Sequence, residues 1–328
     1  MLAPLMWIGT SFALAAGLMW GLVFAGPQWL PEYPATLQTF GRYLAFGLIA
    51  LPLAWIDRAR LAELTRRDWI EAAKLGLVGN IVYYLFLASA IQRAGGPLPT
   101  MIIGTLPVVI AVASNLRDAR RDGRLPWLRL LPGLGLIAAG IACVNQAELA
   151  RLRAAPGGDL SAYLLGGALA VGAVVCWTWY PIRNADWLRA HADRSPRAWA
   201  TAQGLATLPQ AAIGYAALWA WFALQGDAFT MPFGPRPLDF LALMFAIGLL
   251  ASWLGTLCWN EASQRLPTTL VGQLIVFETL SALAYAFVLR GEWPSPVTAL
   301  GIALLVAGVV AALRVRPEPL PEAAAQPH

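Results

Sequence analysis

The chain has 328 residues, of which 59% are hydrophobic and only 12% charged, and its mean hydropathy is +0.61. Soluble domains carry about 25% charged residues, so a water-soluble fold cannot bury this much apolar surface. The formal net charge of +5 does not indicate a nucleic-acid partner, because the arginines lie between long apolar runs rather than on one polar face.

The apolar runs predict ten membrane-spanning helices. Each run is about 18 to 25 residues long, which matches a hydrocarbon core roughly 30 Å thick, and backbone groups in lipid must pair within their own segment. The tail at 315–328 is rich in Pro, Glu and Ala, which predicts a disordered cytoplasmic tail. The predicted spans are residues 5–25, 35–56, 69–91, 97–115, 127–145, 160–181, 198–223, 239–262, 267–289 and 295–314.

The arginines predict the orientation of the bundle. With a cytoplasmic N-terminus, sixteen arginines fall in inside segments and five in outside segments. Positive charge accumulates on the cytoplasmic side of membrane proteins, so both termini are predicted to be cytoplasmic. The chain is therefore expected to be a multi-pass protein of a bacterial-type inner (plasma) membrane.

A weak internal repeat divides the spans into two halves. Shifting the sequence by 172 residues aligns 76–93 with 248–265 without a gap, and six of the eighteen positions are identical. The predicted units are a first five-span repeat at 1–145, an outside linker at 146–159 and a second five-span repeat at 160–314. Because five is odd, the second repeat is inverted, as is typical of secondary transporters. Chance similarity between Gly-rich apolar segments is the alternative.

Five short motifs link the chain to a known family. They are GLMWG at 17–21, GTLP at 104–107, QLIVFET at 273–279, LRGEWP at 289–294, and Gly301 with Gly308. Together they resemble the drug/metabolite transporter superfamily in its ten-span form with two EamA-type domains, and 273–294 most resembles the YddG-type exporters of aromatic amino acids. The resemblance implies an all-α membrane fold of two inverted five-helix repeats. Thr279 departs from the family pattern, in which a proline commonly follows the glutamate.

Polar residues inside apolar spans indicate where a solute binds, because they are costly in lipid and usually face a cavity or another helix. Two stripes of such residues occupy matching positions in the two halves, since the 172-residue shift places Asn80 on Ser252 and Tyr84 on Thr256. We therefore expect a central cavity between the halves. Hydrogen bonding across helix pairs is the alternative. The stripes are Asn80, Tyr83 and Tyr84 in span three, and Ser252, Thr256 and Trp259 in span eight.

Aromatic side chains and one carboxyl group complete the predicted site. Trp20 in span one and Trp177 in span six lie on corresponding helices, and aromatic faces suit flat apolar groups and cations alike. Glu278 lies near the middle of span nine, where it either couples transport to a cation or bonds a neighbouring helix as a structural, protonated carboxyl. Gln273 is a further predicted solute contact, and Gln203 is a weaker candidate.

Other residues within the spans are assigned structural roles. Arg42 is predicted to pair with Glu32 near the outer surface or to extend to the interface. Arg42 and Lys74 are the only basic residues that lie within the spans away from the span ends. The paired cations of a sugar-phosphate carrier are therefore not evident. A set of glycines in spans five and ten predicts close approach of helix backbones. These glycines are Gly133, Gly135, Gly140, Gly301 and Gly308.

The sequence predicts a secondary transporter that exports small solutes by alternating access. Aromatic or other neutral amino acids are the first choice, and efflux of organic cations or drugs is the alternative. A membrane-embedded enzyme is a third reading, but both histidines lie outside the spans and no HExxH or GxSxG motif occurs. The three cysteines are odd in number and show no CxxC spacing, so neither a disulfide framework nor a zinc site is indicated. No metal and no cofactor are expected. The expected partners are the solute and the lipid bilayer, without nucleic acid, and monomer and homodimer are both left open.

Overall fold

The structure is a computed structural model, and it describes residues 2–122, 126–154, 159–191, 193–225, 229–265, 274 and 276–315. Over these ranges the backbone is helical apart from turns and short connections, and no strand occurs in them. Within the described residues, seven helical segments are long and apolar enough to cross a membrane. The all-α membrane fold predicted from the sequence is therefore confirmed.

The first half of the chain contains five helical rods, several of them built from two pieces. The first is α1 (Leu2–Gly21), which continues through a 3₁₀ turn (Leu22–Phe24) into α2 (Gly26–Trp29). The second is α3 (Ala35–Ile56), followed by the short α4 (Arg58–Leu61). The third joins α5 (Arg66–Leu75), a π-helical turn (Gly76–Val82) and α6 (Tyr83–Ala94). The last two are α7 (Pro97–Ile103) with α8 (Leu106–Asp122), and α9 (Trp127–Ala154).

In the second half, among the described residues, the third rod is interrupted by a π-helical turn as it is in the first half. The first two rods of the second half are α10 (Leu160–Ala190) and α11 (Pro196–Gln225). The third joins α12 (Pro237–Ile247), a second π-helical turn (Gly248–Leu254) and α13 (Gly255–Arg265). The described part of the fourth is α14 (Val276–Arg290), and the fifth is α15 (Pro296–Leu313).

The helix α9 runs further than the sequence pattern predicts, to Ala154, and so enters the segment 146–159 that was expected to be a linker. Ala, Leu, Glu and Arg dominate this extension, and all four residue types favour helix. Glu148 on the extension accepts hydrogen bonds from Arg290 at 3.1 and 3.2 Å. Arg151 pairs with Glu292 at 2.6 Å. These pairs hold the extended end of α9 against the end of α14.

The two π-helical turns occupy equivalent positions in the two halves. Each is seven residues long, and Gly76–Val82 and Gly248–Leu254 are separated by 172 residues, the shift found in the sequence. A π-helical turn is rare and commonly marks a functional site. Each turn presents one residue of the predicted polar stripes, Asn80 in the first and Ser252 in the second.

Helices of one half pack against helices of the other in matched pairs. The helix α1 packs along α13 and α14, and its counterpart α10 packs along α6 and α7. The remaining long interfaces join α3 to α11 and α9 to α15. The packing of α1 along α13 and α14 therefore has its equivalent in the packing of α10 along α6 and α7.

Glycine allows α9 and α15 to approach at backbone distance. A Cβ atom built on Gly140 would lie 2.6 Å from the carbonyl oxygen of Gly301, and one built on Gly308 would lie 2.7 Å from the carbonyl oxygen of Gly133. The predicted close approach is confirmed for these four glycines. It is wrong for Gly135, which has nothing within 4 Å of its Cβ position, because two residues rotate a helix by about 200°.

Candidate functional site

Helices from both halves enclose a cavity, to which both π-helical turns contribute. The volume open to the centre of a water-sized sphere is about 40 Å³. One water molecule needs at least ~10–15 Å³ by this measure, so a few waters fit, whereas a whole amino acid requires the walls to move. The lining residues are Trp20, Val23, Arg42, Tyr43, Phe46, Asn80, Tyr83, Trp177, Tyr180, Ala200, Gln203, Ala251, Ser252, Thr256 and Glu278.

Most residues predicted from the sequence to contact a solute lie on this wall, and two lie just behind it. Tyr84 is fully buried, and its hydroxyl donates to the carbonyl oxygen of Val23 at 3.3 Å. Trp259 packs against Trp20 with ring centroids 5.2 Å apart. Gln273 lies outside the described residues. The predicted residues on the wall are Trp20, Asn80, Tyr83, Trp177, Ser252, Thr256 and Glu278, together with the weaker candidate Gln203.

Three aromatic rings form a stack on one side of the cavity. Trp177 stacks with Tyr83 at 4.8 Å between centroids and with Tyr180 at 4.9 Å. The hydroxyl of Tyr180 donates to Oε1 of Gln203 at 2.8 Å, which joins α10 to α11. Gly79 in the first π-helical turn leaves room for the stacked rings, because a Cβ atom at this position would overlap the Tyr180 ring.

Trp20 contacts this stack of rings on a second side, through Trp177. Its ring meets that of Trp177 edge-on, with centroids 6.4 Å apart and an interplanar angle of 89°. Its Nε1 donates to the carbonyl oxygen of Ala251 at 3.0 Å, in the second π-helical turn. Edge-to-face and offset-stacked pairs are the favoured aromatic arrangements. The cavity is therefore bordered by rings that already contact one another.

Arg42 lies on the cavity wall, and the predicted pair between Arg42 and Glu32 is wrong. Glu32 instead pairs with Arg236 at 3.1 Å. Arg42 is the eighth residue of α3, about 10 Å along the axis from the helix start, which is too deep for its side chain to turn back to Glu32. The nitrogens Nε and Nη2 of Arg42 donate to Oγ of Ser252 at 3.2 and 3.1 Å, across the two halves.

Two tyrosine rings hold the Arg42 guanidinium in place. Its central carbon lies 4.4 Å from the ring centroid of Tyr84 and 4.9 Å from that of Tyr43, which is cation–π geometry. Tyr84, a predicted solute contact, is thus a support for the cation behind the wall. Sequence reasoning missed Tyr43 and Tyr180. The recurrence of aromatics in the same spans as Arg42 and Trp177 was the available signal.

Glu278 brings a carboxyl group to the same cavity. It lies in the first turn of the described part of α14 and is 6% exposed. Close packing of α1 places it there, since a Cβ atom on Gly17 would lie 3.1 Å from the backbone nitrogen of Glu278. Its carboxyl group and the guanidinium of Arg42 line the same cavity. The wall therefore combines one cation, one carboxyl group and several aromatic rings.

Comparison with known proteins identifies the family. The sequence model of the EamA-like transporter family matches residues 7–146. Inner membrane protein YtfF of Escherichia coli (strain K12) is 56% identical over 319 residues, which cover 97% of this chain and 99% of that protein. The chain belongs to the EamA-like transporter family. This EamA-type transporter is thereby placed in the drug/metabolite transporter superfamily, as its motifs predict.

Two further relatives of this EamA-type transporter are more distant. An uncharacterized transporter of Archaeoglobus fulgidus is 23% identical over 265 residues, 80% of this chain and 83% of that protein. A protein of known crystal structure is 20% identical and superposes with a TM-score of 0.59, covering 93% of this chain and 95% of the other. That likeness shows a shared fold. The YddG-type subclass stays a prediction.

Contacts between the halves of the EamA-type transporter close the bundle at one end, here called the Asp57 end. Asp57 is 3% exposed and binds Arg197 through two hydrogen bonds, one of them 3.0 Å from Nε to Oδ2. Hydrogen bonding to Asp57 raises the pKa of the Arg197 guanidinium above its usual value. Further ion pairs at this end include Arg194 with Glu63 at 2.6 Å and Arg183 with Glu71 at 2.6 Å.

A second set of contacts joins the halves at the opposite end, here called the Glu32 end. Arg236 of the second half pairs with Glu32 of the first. The Tyr33 hydroxyl donates to the carbonyl oxygen of Phe233 at 2.9 Å and accepts from the backbone nitrogen of Arg236 at 2.7 Å. Burial raises the pKa of this hydroxyl above its usual value. The loop 229–236 at this end corresponds, under the 172-residue shift, to residues 57–64 at the Asp57 end.

Proposed function

We propose that this EamA-type transporter exports small solutes by alternating access, with aromatic or other neutral amino acids as its first candidate substrates. One observation carries the proposal: a cavity lined by both halves lies between two sets of inter-half contacts, one at each end. A solute reaches such a cavity only when one set opens. Two sets at opposite ends are what alternating access needs.

The proposal includes a division into inverted repeats at 1–145 and 160–314, related by a pseudo-two-fold axis in the membrane plane. It is supported by the equal spacing of the two π-helical turns and by the matched packing of α1 with α13 and of α10 with α6. We further propose that both termini are cytoplasmic. The Asp57 end then faces the cytoplasm, and similarity to the E. coli inner membrane protein places the bundle in the inner membrane.

We propose that the ring of a bound aromatic solute replaces the stacking contact between Tyr83 and Trp177. The enclosed volume of about 40 Å³ does not hold a side chain such as that of phenylalanine, so rocking of the halves has to widen the cavity. Movement of α6 relative to α10 separates Tyr83 from Trp177 and frees a ring face for the solute. Aromatic pairs contribute roughly 0.5–1.5 kcal/mol beyond the burial of area, so a solute ring replaces the lost contact at little net cost.

Glu278 has two candidate roles in this cycle. As a coupling group it changes protonation or binds a cation during transport, and as a structural group it stays protonated and bonds a neighbouring helix. The variant Glu278→Gln separates them. If the carboxyl couples transport, Gln abolishes uptake against a gradient while the melting temperature stays unchanged. If it is structural, Gln is nearly silent in both measurements.

A solute panel in proteoliposomes tests the proposed function. Purified protein is reconstituted, labelled phenylalanine, tyrosine, threonine, phenethylamine and a quaternary ammonium dye are supplied, and the internal solute is recovered and identified. We expect protein-dependent movement of chemically unchanged amino acids. Movement of the cations alone would favour the organic-cation alternative. Recovery of an altered solute would favour a membrane-embedded enzyme and overturn the proposal.

A further inference from the structure

The guanidinium of Arg42 has hydrogen-bonding capacity that the protein does not use. Arg42 is 5% exposed, and its Nε and Nη2 share a single acceptor, the hydroxyl of Ser252. Its Nη1 is buried and has no hydrogen-bond partner among the described residues. A buried charged donor left unpaired is costly, since it forfeits hydration without a replacement bond. Such a group on a cavity wall is suited to a ligand that supplies the missing acceptor.

We propose that Arg42, together with Ser252, binds the carboxylate of the transported solute. The inference rests on the proposed function, because it assigns the substrate class of the same cavity. A guanidinium presents parallel N–H groups that match the two oxygens of a carboxylate. The rings of Tyr43 and Tyr84 hold this guanidinium in one place, so the geometry is prepared before the solute arrives.

The position of Glu278 extends the match from a carboxylate to an amino acid. Its carboxyl group lines the same cavity as Arg42. An α-amino acid carries one carboxylate and one ammonium group, so it satisfies Arg42 and Glu278 together and brings no net charge into the membrane. An amine without a carboxylate leaves Nη1 unpaired. The cavity therefore selects solutes that carry a carboxylate and discriminates against simple organic cations.

A ligand series tests the inference on the unmodified protein. Binding of phenylalanine, 3-phenylpropionate and phenethylamine is measured by isothermal titration calorimetry in detergent, because the three share a ring and differ in their charged groups. We expect phenylalanine to bind at least about tenfold more tightly than phenethylamine, the scale of one hydrogen bond to a charged group. Equal or tighter binding of phenethylamine overturns the inference.

Variants then assign the effect to Arg42. The substitution Arg42→Gln is expected to weaken phenylalanine and 3-phenylpropionate by about tenfold or more while phenethylamine changes by less than about twofold. If Arg42 has only a structural role, all three ligands weaken equally. The matched control is Arg151→Gln, which removes an exposed arginine outside the cavity and is expected to leave all three affinities unchanged. Should Arg42→Gln fail to fold, Ser252→Ala tests the same carboxylate preference.

Two readouts distinguish failure of this inference from failure of the proposed function. Amino acids that cross the membrane of proteoliposomes equally well with wild-type protein and Arg42→Gln overturn the inference and leave the function standing. Carboxylate binding that depends on Arg42, without transport of any amino acid in the panel, supports the inference and overturns the function.

Discussion

The interface between α9 and α15 allows a sharp test of how this bundle is held together. We predict that Gly140→Ala destabilises the protein. The new Cβ would lie 2.6 Å from the carbonyl oxygen of Gly301 and 2.8 Å from the backbone nitrogen of Leu305, whereas ordinary contact begins at 3.4 Å. The two helices must therefore separate by about 0.8 Å, the difference between 3.4 and 2.6 Å. The new Cβ would overlap backbone atoms, so no side-chain rotation can relieve the overlap.

The magnitude follows from two opposing effects. Overpacking a tight interface costs about 1–3 kcal/mol, and separated helices also lose dispersion contacts that lipid does not fully replace. Alanine gains up to about 1 kcal/mol over glycine inside a helix. The expected net loss in the free energy of unfolding is therefore roughly 1–2 kcal/mol. The same helix supplies the control, because Gly135→Ala meets nothing within 4 Å and is expected to be neutral or slightly stabilising.

The assay is the free energy of unfolding in mixed micelles, followed by tryptophan fluorescence as the denaturing detergent is increased. Transport per folded molecule should be unchanged in both variants, since neither α9 nor α15 lines the cavity. A Gly140→Ala protein as stable as the wild type would refute the reasoning. So would a Gly135→Ala protein that is equally destabilised, because the effect would then belong to the helix itself rather than to its contact with α15.

Three further predictions concern the site and its orientation. Trp177→Ala removes the ring that stacks with Tyr83, and is expected to weaken aromatic solutes by roughly 1 kcal/mol in calorimetry, an unchanged affinity being the contrary result. Arg197→Gln weakens the contacts at the Asp57 end. A thiol reagent added from that side should then react faster with a cysteine introduced on the cavity wall, and an unaltered rate would mean that these contacts do not control access to the cavity. A cysteine replacing Arg60 should label from the cytoplasm and one replacing Glu292 from the outside, and the reverse pattern would contradict the proposed topology.

Much of the fold follows from local properties of the sequence. The length of an apolar run and the need to pair every backbone group in lipid depend on neighbouring residues, so the all-α fold and its long helices were predictable. The 172-residue shift also predicted that Asn80 and Ser252 occupy equivalent places, and the two π-helical turns contain them. The π-helical geometry of these turns was not predicted. In the first turn Gly79 packs against the ring of Tyr180, which lies in the other half of the chain and is brought there only by the tertiary structure.

The candidate site, like the fold, was predictable from the sequence only in part. Residue type and spacing brought Trp20, Tyr83 and Trp177 into one predicted cluster, since polar and aromatic residues in apolar spans avoid lipid. The sequence by itself determined which side chains need protection from lipid, because that need is a property of each residue and its helix face. Only the tertiary structure decided which partner protects each one, because Arg42 lies 210 residues from Ser252 and meets it only after α3 packs against the second π-helical turn.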